Sequence, residues 1–200
     1  IGFATAKYFL KKNWIVIISS SNNEKLNNAK NKIITNNKIA NLHVIKCDIT
    51  DKNEIKNTIS YIQNEIGNIN IALLNAAAYS PNKHQEFDLS NYELLIDVNL
   101  KGTLNCIDAL KDVMKNKGNT IAIVSSPIGY RGWPTSGAYG MTKAAQLNLS
   151  ESLFFDFKKI GINMRVINPG FIDTEATRLN SFKMPFLKSA DFAAEKIYAG

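Results

Sequence analysis

Arginine, cysteine and histidine are scarce in this chain, and each scarcity removes a class of function. Only three arginines occur, Arg131, Arg165 and Arg178, although the net charge is +7. The positive charge is carried by lysines mixed with acids, without an arginine stripe or interleaved aromatics. A solvated basic surface is therefore expected, and no nucleic-acid partner. The two cysteines, Cys47 and Cys106, stand alone in apolar stretches. They cannot build a disulfide framework or a CxxC metal site, and they suit a reducing, cytoplasmic compartment. Two histidines, His43 and His84, are too few for a histidine-based metal site, and His84 reads as a surface-loop residue. No run of eighteen or more apolar residues is present, so no membrane span is expected. There is no signal-peptide pattern, although a chain opening on Ile1 is expected to have lost its true start.

What is present is a regular alternation. Short, almost continuously apolar runs at 14–19, 42–47, 70–75, 119–125 and 162–168 have the length and composition of strands buried on both faces. Between them, helical patterns occupy roughly 2–12, 24–34, 51–66, 91–116 and 137–159, and a last helix begins near Asp191. Thr50-Asp51 with Glu54, and Ser90-Asn91 with Glu93, supply helix-start signals. This alternation predicts an α/β fold of the doubly wound, Rossmann-like kind, with a parallel sheet and helices on both faces. No linker, repeat or low-complexity segment interrupts it, so residues 1–200 are expected to form one domain.

The chain opens on a helical pattern, Gly2-Phe3-Ala4-Thr5-Ala6-Lys7, rather than on a strand. In a dinucleotide-binding sheet the first strand lies centrally, and without it the sheet would have a gap. The expectation is a fragment, lacking an N-terminal strand with its Gly-rich turn and also the C-terminal end. Ile1-Gly2 would be the tail of that turn, with Gly2 permitting close helix–strand packing.

The chemistry is concentrated in Tyr139-Gly140-Met141-Thr142-Lys143. Residues four apart share one helix face, so phenol and ammonium can point the same way. A nearby cation is expected to lower the tyrosine pKa from its reference of about 10 and make Tyr139 a general acid/base. Tyr8…Lys12 and Tyr79…Lys83 have the same spacing. Only Tyr139 also has Ser126, a hydroxyl 13 residues earlier at the end of the run Ile121-Ala122-Ile123-Val124-Ser125. Open α/β sheets bind ligands at the carboxyl ends of such strands.

With these residues assembled, the chain resembles a short-chain dehydrogenase/reductase of the ordinary single-domain branch, over essentially its whole length. The resemblance implies an NAD(P)-dependent oxidoreductase acting on CH-OH or C=O groups, with Asn99, Ser126, Tyr139 and Lys143 as the catalytic set. Leu74-Asn75-Ala76-Ala77 resembles the family's Asn-Asn-Ala-Gly segment and implies cofactor contact at Asn75, Ala76 and Ala77. Two positions depart from that pattern, Leu74 and Ala77. Asp48 and Ile49 match the site of the adenine-binding acid. Asn99 matches the helical asparagine that the family uses to hold a proton-relay water near the lysine. Asn168-Pro169-Gly170-Phe171-Ile172-Asp173-Thr174 resembles the Pro-Gly-x-x-x-Thr loop. There Pro169 and Gly170 make the turn, and the Ile172 backbone and Thr174 hydroxyl meet the nicotinamide amide.

The mechanism so implied is hydride transfer at a carbonyl or secondary alcohol, with Ser126 bonding the oxygen and Tyr139 moving the proton. Lys143 would hold the nicotinamide ribose. Ser20 and Ser21, with no acid at that strand end, lean the cofactor expectation to NADP over NAD. Pro127, Ile128, Tyr79 and Trp133 would face the substrate. The segment Phe182-Lys183-Met184-Pro185-Phe186-Leu187 would serve as a lid, and the apolar set suggests a hydrophobic small molecule. A non-catalytic dinucleotide sensor or a sugar-nucleotide epimerase on the same fold are the alternatives. A serine hydrolase is disfavoured by the lack of a Gly-x-Ser-x-Gly elbow. Phe154, Phe155 and Phe157 spread too widely around one helix for a single buried stripe, which predicts a homodimer or homotetramer through the helices near Asn91 and Gly137.

Overall fold

The computed structural model describes residues 1–34, 41–80 and 87–200. His84 and Lys83 therefore lie outside the described residues. The chain forms two compact units, one made of Ile1–Asp48 with Phe171–Gly200 and the other of Ile49–Gly170.

In the first unit, α1 (Gly2–Lys11), β1 (Val16–Ser20), α2 (Asn23–Ile34) and β2 (Leu42–Lys46) follow in order, and α7 (Ala190–Ala199) returns against α1. The strands pair in parallel, with Val16 opposite Leu42 and Ser20 opposite Lys46. Ala6, Leu10 and Ile33 bury their side chains against Val16, Ile18 and Leu42, so both helices are fixed by one apolar stripe each. Tyr198 of α7 packs edge-on to Phe9, with ring centres 5.0 Å apart. Ser189 caps α7, its hydroxyl accepting from the Phe192 N–H at 3.1 Å.

The second unit holds α3 (Lys52–Tyr61), β3 (Ile71–Leu74), α4 (Leu89–Leu95), α5 (Gly102–Met114), β4 (Asn119–Val124), α6 (Gly137–Lys159) and β5 (Ile162–Ile167). The three strands are parallel in the order β3-β4-β5. Their core unites Ile107, Leu110 and Met114 of α5, Ile121 and Ile123 of β4, Phe157 of α6, and Ile162 and Met164 of β5. The expected α/β class, with parallel strands and interleaved helices, is thus observed.

Several details differ from the sequence reading. Among the described residues, only β4 is a strand buried along nearly its whole length. In β5, Ile162 and Met164 point inward while Asn163 and Arg165 are exposed. That alternation belongs to a strand with one covered face. The helix expected from Ser90-Asn91 starts earlier, because the Asp88 carboxylate accepts from the Ser90 and Asn91 N–H groups and makes Asp88 the cap. The Thr50-Asp51 signal holds: Asp51 accepts from Asn53 and Glu54 at 2.7 and 3.1 Å. Two helices expected to be regular carry π turns, at Ile62–Ile66 and Ile96–Lys101. In the latter the Gly102 N–H reaches back five residues to the Asp97 carbonyl. Such widened turns recur at functional sites, and this one carries Asn99.

Candidate active site

The carboxyl ends of the strands collect the polar residues singled out in the sequence. In the first unit, Ser20 ends β1, and its carbonyl accepts from the Cys47 N–H at 3.1 Å. Ser20, Ser21 and Asp48 thus belong to one edge of that sheet. The Ser20 hydroxyl accepts from the Asn22 N–H, and Asn22 in turn caps the first turn of α2 through Lys25. Ser21 stays exposed. Gly2 opens α1, whose first turn is closed by Thr5 bonding the Ile1 carbonyl through both its N–H and its hydroxyl. Ile172 is buried and bridges to Lys188. Its carbonyl accepts from the Thr177 hydroxyl at 2.6 Å, and the Thr174 hydroxyl lies 3.2 Å from that same hydroxyl. Thr177 organises this loop and was not singled out in the sequence; a threonine three residues past Thr174 was its only signal. Phe182 packs edge-on to Phe171, whereas Phe186 is exposed at a left-handed φ of 55°.

In the second unit, β3 and β5 are followed directly by Asn75 and Asn168, and β4 by Ser125 and Ser126. Asn75 is half-buried, and Ala76 and Ala77 are exposed. The next residue, Ala78, is gripped by Asn99, whose carboxamide accepts from the Ala78 N–H at 2.8 Å and donates to its carbonyl at 3.1 Å. Asn99 is fully buried and also donates to the Thr142 hydroxyl at 3.0 Å. That hydroxyl donates onward to the Tyr139 carbonyl at 2.9 Å.

Ser126 caps the short 3-10 turn Pro127–Gly129, with its hydroxyl facing the Ile128 N–H at 3.4 Å. This turn lies directly on α6. A Cβ on Gly129 would meet the Leu147 side chain at 2.6 Å and the Ala144 backbone nitrogen at 2.9 Å. The preceding residue, Ser125, donates to the Lys143 carbonyl at 3.0 Å, and the Lys143 ammonium donates to the Val124 carbonyl at 2.8 Å. The end of β4 is therefore stitched to the α6 turn that carries Lys143, and Ser126 is fixed beside it. Pro127 and Trp133 are exposed, and Ile128 is half-buried. Tyr79, following the Asn75–Ala78 segment, meets Tyr139 edge-on with ring centres 4.8 Å apart.

Burial sets the electrostatics. Desolvation, followed by the neighbouring Tyr79 phenol, pushes the Tyr139 phenol up to about 12. Desolvation likewise holds the Lys143 ammonium down at about 8. This corrects the expectation that Lys143 lowers the tyrosine pKa. The ammonium is 5.4 Å from the Tyr139 ring centre and spends its hydrogen bonds on Val124 and Gln146 instead. Tyr79 is also raised by burial. Among the described residues, one buried side-chain polar atom has no hydrogen-bond partner, Asn168 Oδ1. Its Nδ2 donates to the Tyr130 hydroxyl at 2.8 Å. Neither Asn168 nor Tyr130 was named as a site residue, although Asn168 directly precedes the Pro-Gly turn.

The comparisons with known proteins identify the family. The sequence model of the short chain dehydrogenases matches residues 1–183, and the chain belongs to that family. An uncharacterized oxidoreductase of Staphylococcus epidermidis is 27% identical over the whole of this chain, which covers 85% of that protein. A Staphylococcus aureus relative of the same description shows the same identity and coverage. Among solved structures, ElxO with NADP bound superposes with a TM-score of 0.89 at 25% identity, over 99% of this chain and 85% of ElxO.

Proposed function

We propose that this protein is an NAD(P)-dependent short-chain oxidoreductase that interconverts a hydrophobic carbonyl compound and its secondary alcohol. The observation that carries the reading is the junction of β4 and α6, where Ser126, Tyr139 and Lys143 stand on two elements tied together by hydrogen bonds. A buried lysine is costly, so a fold that keeps one beside a half-buried tyrosine does so for chemistry more often than for packing.

When bound, the nicotinamide supplies or accepts the hydride; the protein does the rest. Tyr139, held near 12, carries its proton at neutral pH, which is the form that protonates a carbonyl oxygen. Ser126 donates a hydrogen bond to that oxygen and fixes its position. Lys143, positive below about 8, stands 5.4 Å from the Tyr139 ring centre and would hold the nicotinamide ribose. Asn99 holds the segment that presents Tyr79 and, through Thr142, the backbone of Tyr139. The dinucleotide would be held by Gly2, Ser20, Ser21, Asp48, Ile49, Asn75, Ala76, Ala77, Pro169, Gly170, Ile172 and Thr174, with Lys143 and Tyr139. The unpartnered acceptor of Asn168 suits a polar ligand over the strand ends. The preference for NADP rests on Ser20 and Ser21 and on the NADP of ElxO. One domain over residues 1–200, a cytoplasmic location and a homo-oligomeric state complete the reading.

The test is to incubate the protein with NADPH or NADH and a graded set of hydrophobic ketones and aldehydes, following nicotinamide absorbance. Turnover of some members, lost in Tyr139→Phe, is the expected result. Cofactor binding without turnover in either direction, on ketones, aldehydes and secondary alcohols alike, would favour a dinucleotide sensor.

A further inference from the structure

Gln146 is 1% exposed and lies one turn beyond Lys143 on α6, at the spacing that shares a helix face. Its Oε1 accepts from the Lys143 ammonium at 2.9 Å. Its amide nitrogen donates to the Asn99 carbonyl at 2.8 Å and to the Thr103 hydroxyl at 3.0 Å. Thr103 itself donates to the Asn99 carbonyl at 2.7 Å, so that oxygen receives two hydrogen bonds from within the protein. An amide carbonyl has two lone pairs, and both are taken. The Asn99 side chain is likewise committed, to Ala78 and Thr142.

We propose that Gln146 is a positioning residue for Lys143: its carboxamide, rather than a water, makes the link between the Asn99 turn and the lysine ammonium. The inference rests on the oxidoreductase reading and adds a residue that the family resemblance did not supply. A carboxamide stays neutral across the accessible pH range, so it orients the ammonium without competing for its proton. It also fixes which end faces which neighbour. An acceptor must point at Lys143, and a donor must point at Asn99 and Thr103; among side chains of this length only glutamine offers both without a charge.

Few other groups act on the ammonium. From β4 it meets the Val124 carbonyl, and behind Gln146 stand the neutral Asn99 of the π turn and Thr103 of α5. Tyr139 lies on its own helix, with Tyr79 against it. The ions of the π turn, Asp97 and Lys101, pair with each other on the exposed side. Burial lowers the lysine, and the Gln146 acceptor at 2.9 Å is the side-chain hydrogen bond to the ammonium that a substitution can remove.

The experiment is an NMR titration of selectively isotope-labelled lysine in the protein, with the Lys143 signal assigned by its loss in Lys143→Arg. Gln146→Leu deletes the acceptor and should move the Lys143 midpoint down by about one pH unit. Gln146→Glu replaces it with a carboxylate and should move the midpoint up by about one or more. NADPH affinity, read by nicotinamide fluorescence, should fall about tenfold in Gln146→Leu as the ammonium loses its orientation. If Gln146→Leu does not fold, the upward shift in Gln146→Glu still decides the matter. A midpoint unchanged in the folded variants, whatever their loss of thermal stability, overturns the proposal and leaves Gln146 as packing. Turnover retained by Tyr139→Phe, with the midpoints shifted as stated, would instead overturn the oxidoreductase mechanism while the positioning of Lys143 stands.

Discussion

Asn99 holds both the N–H and the C=O of Ala78 with one carboxamide, at 2.8 and 3.1 Å, from the middle of a π turn. A single side chain thereby does what a neighbouring strand would do for one residue, and it pins the segment after β3. Replacing it with leucine leaves both Ala78 groups and the Thr142 hydroxyl short of a partner. Each buried orphan costs about 1–3 kcal/mol. Asn99→Leu should therefore lower the thermal midpoint markedly and loosen Tyr79 from Tyr139. Asn99→Asp keeps the acceptor but loses both donors and should fall between. Thermal unfolding orders the three proteins; a midpoint in Asn99→Leu equal to wild type would show that the pinning is not needed.

Tyr139→Phe removes one oxygen from a ring otherwise held by Tyr79 and the helix. The expected result is a fall in turnover of about 10²–10⁴ with NADPH affinity nearly unchanged, because only the proton donor is lost. Steady-state rates beside fluorescence titration check it. Activity within a few-fold of wild type would remove Tyr139 from the mechanism.

The pH dependence of stability follows from the two buried groups. Lys143 titrates near 8 in the fold against an ordinary lysine value of 10.5, so between those values the unfolded chain binds more protons and stability rises with pH. The full difference corresponds to roughly 3 kcal/mol. Tyr139 acts oppositely: raised from 10.0 to about 12, it stays protonated in the fold while the unfolded chain ionises, and stability falls across that higher window. Chemical unfolding at stepped pH should show the rise in wild type and a flatter curve in Lys143→Met. An equal rise in both would assign it to other groups.

Much of this was legible in the sequence because its physical signals are local. Strand positions were recoverable from β-branched runs, and the 3.6-residue period located the helices to within a few residues. Tyr139 and Lys143 stood out by their spacing on one helix, and Ser126 by following a strand run. What escaped were groups whose role depends on meeting another element. Gln146 gave only an i+3 spacing, and Thr103 and Thr142 resembled ordinary helix threonines. The sign of the Tyr139 shift was missed for the same reason: burial and the direction of the lysine side chain are tertiary facts. The π turns are invisible to a hydrophobic period, which continues through them.

Gly129 tests the contact between the Ser126 turn and α6. A methyl there would stand 2.9 Å from the backbone at Ala144 and Lys143, atoms that cannot swing aside. Gly129→Ala should destabilise by about 1–3 kcal/mol and reduce turnover more than cofactor binding, since the displaced turn carries Ser126. Wild-type stability together with wild-type turnover would mean that the turn has room that the geometry denies.

Cofactor choice is tested at the end of β1. Ser20 and Ser21 bring hydroxyls, and the strand end itself carries no acid; Glu24 and Lys25 follow in the first turn of α2. NADP is expected to bind more tightly than NAD, and Ser21→Asp should reverse the order by placing an acid where the phosphate would sit. Dissociation constants for both dinucleotides at one salt concentration decide it. Tighter NAD binding by the unmodified protein would overturn this preference and leave the family membership untouched.

Association is the last expectation, and the structure narrows where it rests. Of the three phenylalanines near the end of α6, Phe157 is buried in the core among Ile107, Leu110 and Met114, so it is not part of any outer face. Leu147 is buried as well, and Leu149 and Leu153 pack on the core. Phe154 and Phe155 remain, 37% and 69% exposed, in edge contact with each other beside a shallow groove floored by Met164 and Val166. Leu94 and Leu104, on α4 and α5, are also about half exposed. Large apolar side chains displayed together on helices are a common mark of an interface, and closed two-fold contacts are the commonest way identical chains use one. The expected outcome is a dimer or tetramer at micromolar concentration by sedimentation or light scattering, converted to smaller species by Phe155→Lys without loss of helical content. The competing account is a monomer that carries the two rings as exposed apolar surface. A clean monomer at that concentration would establish that account and remove the interface.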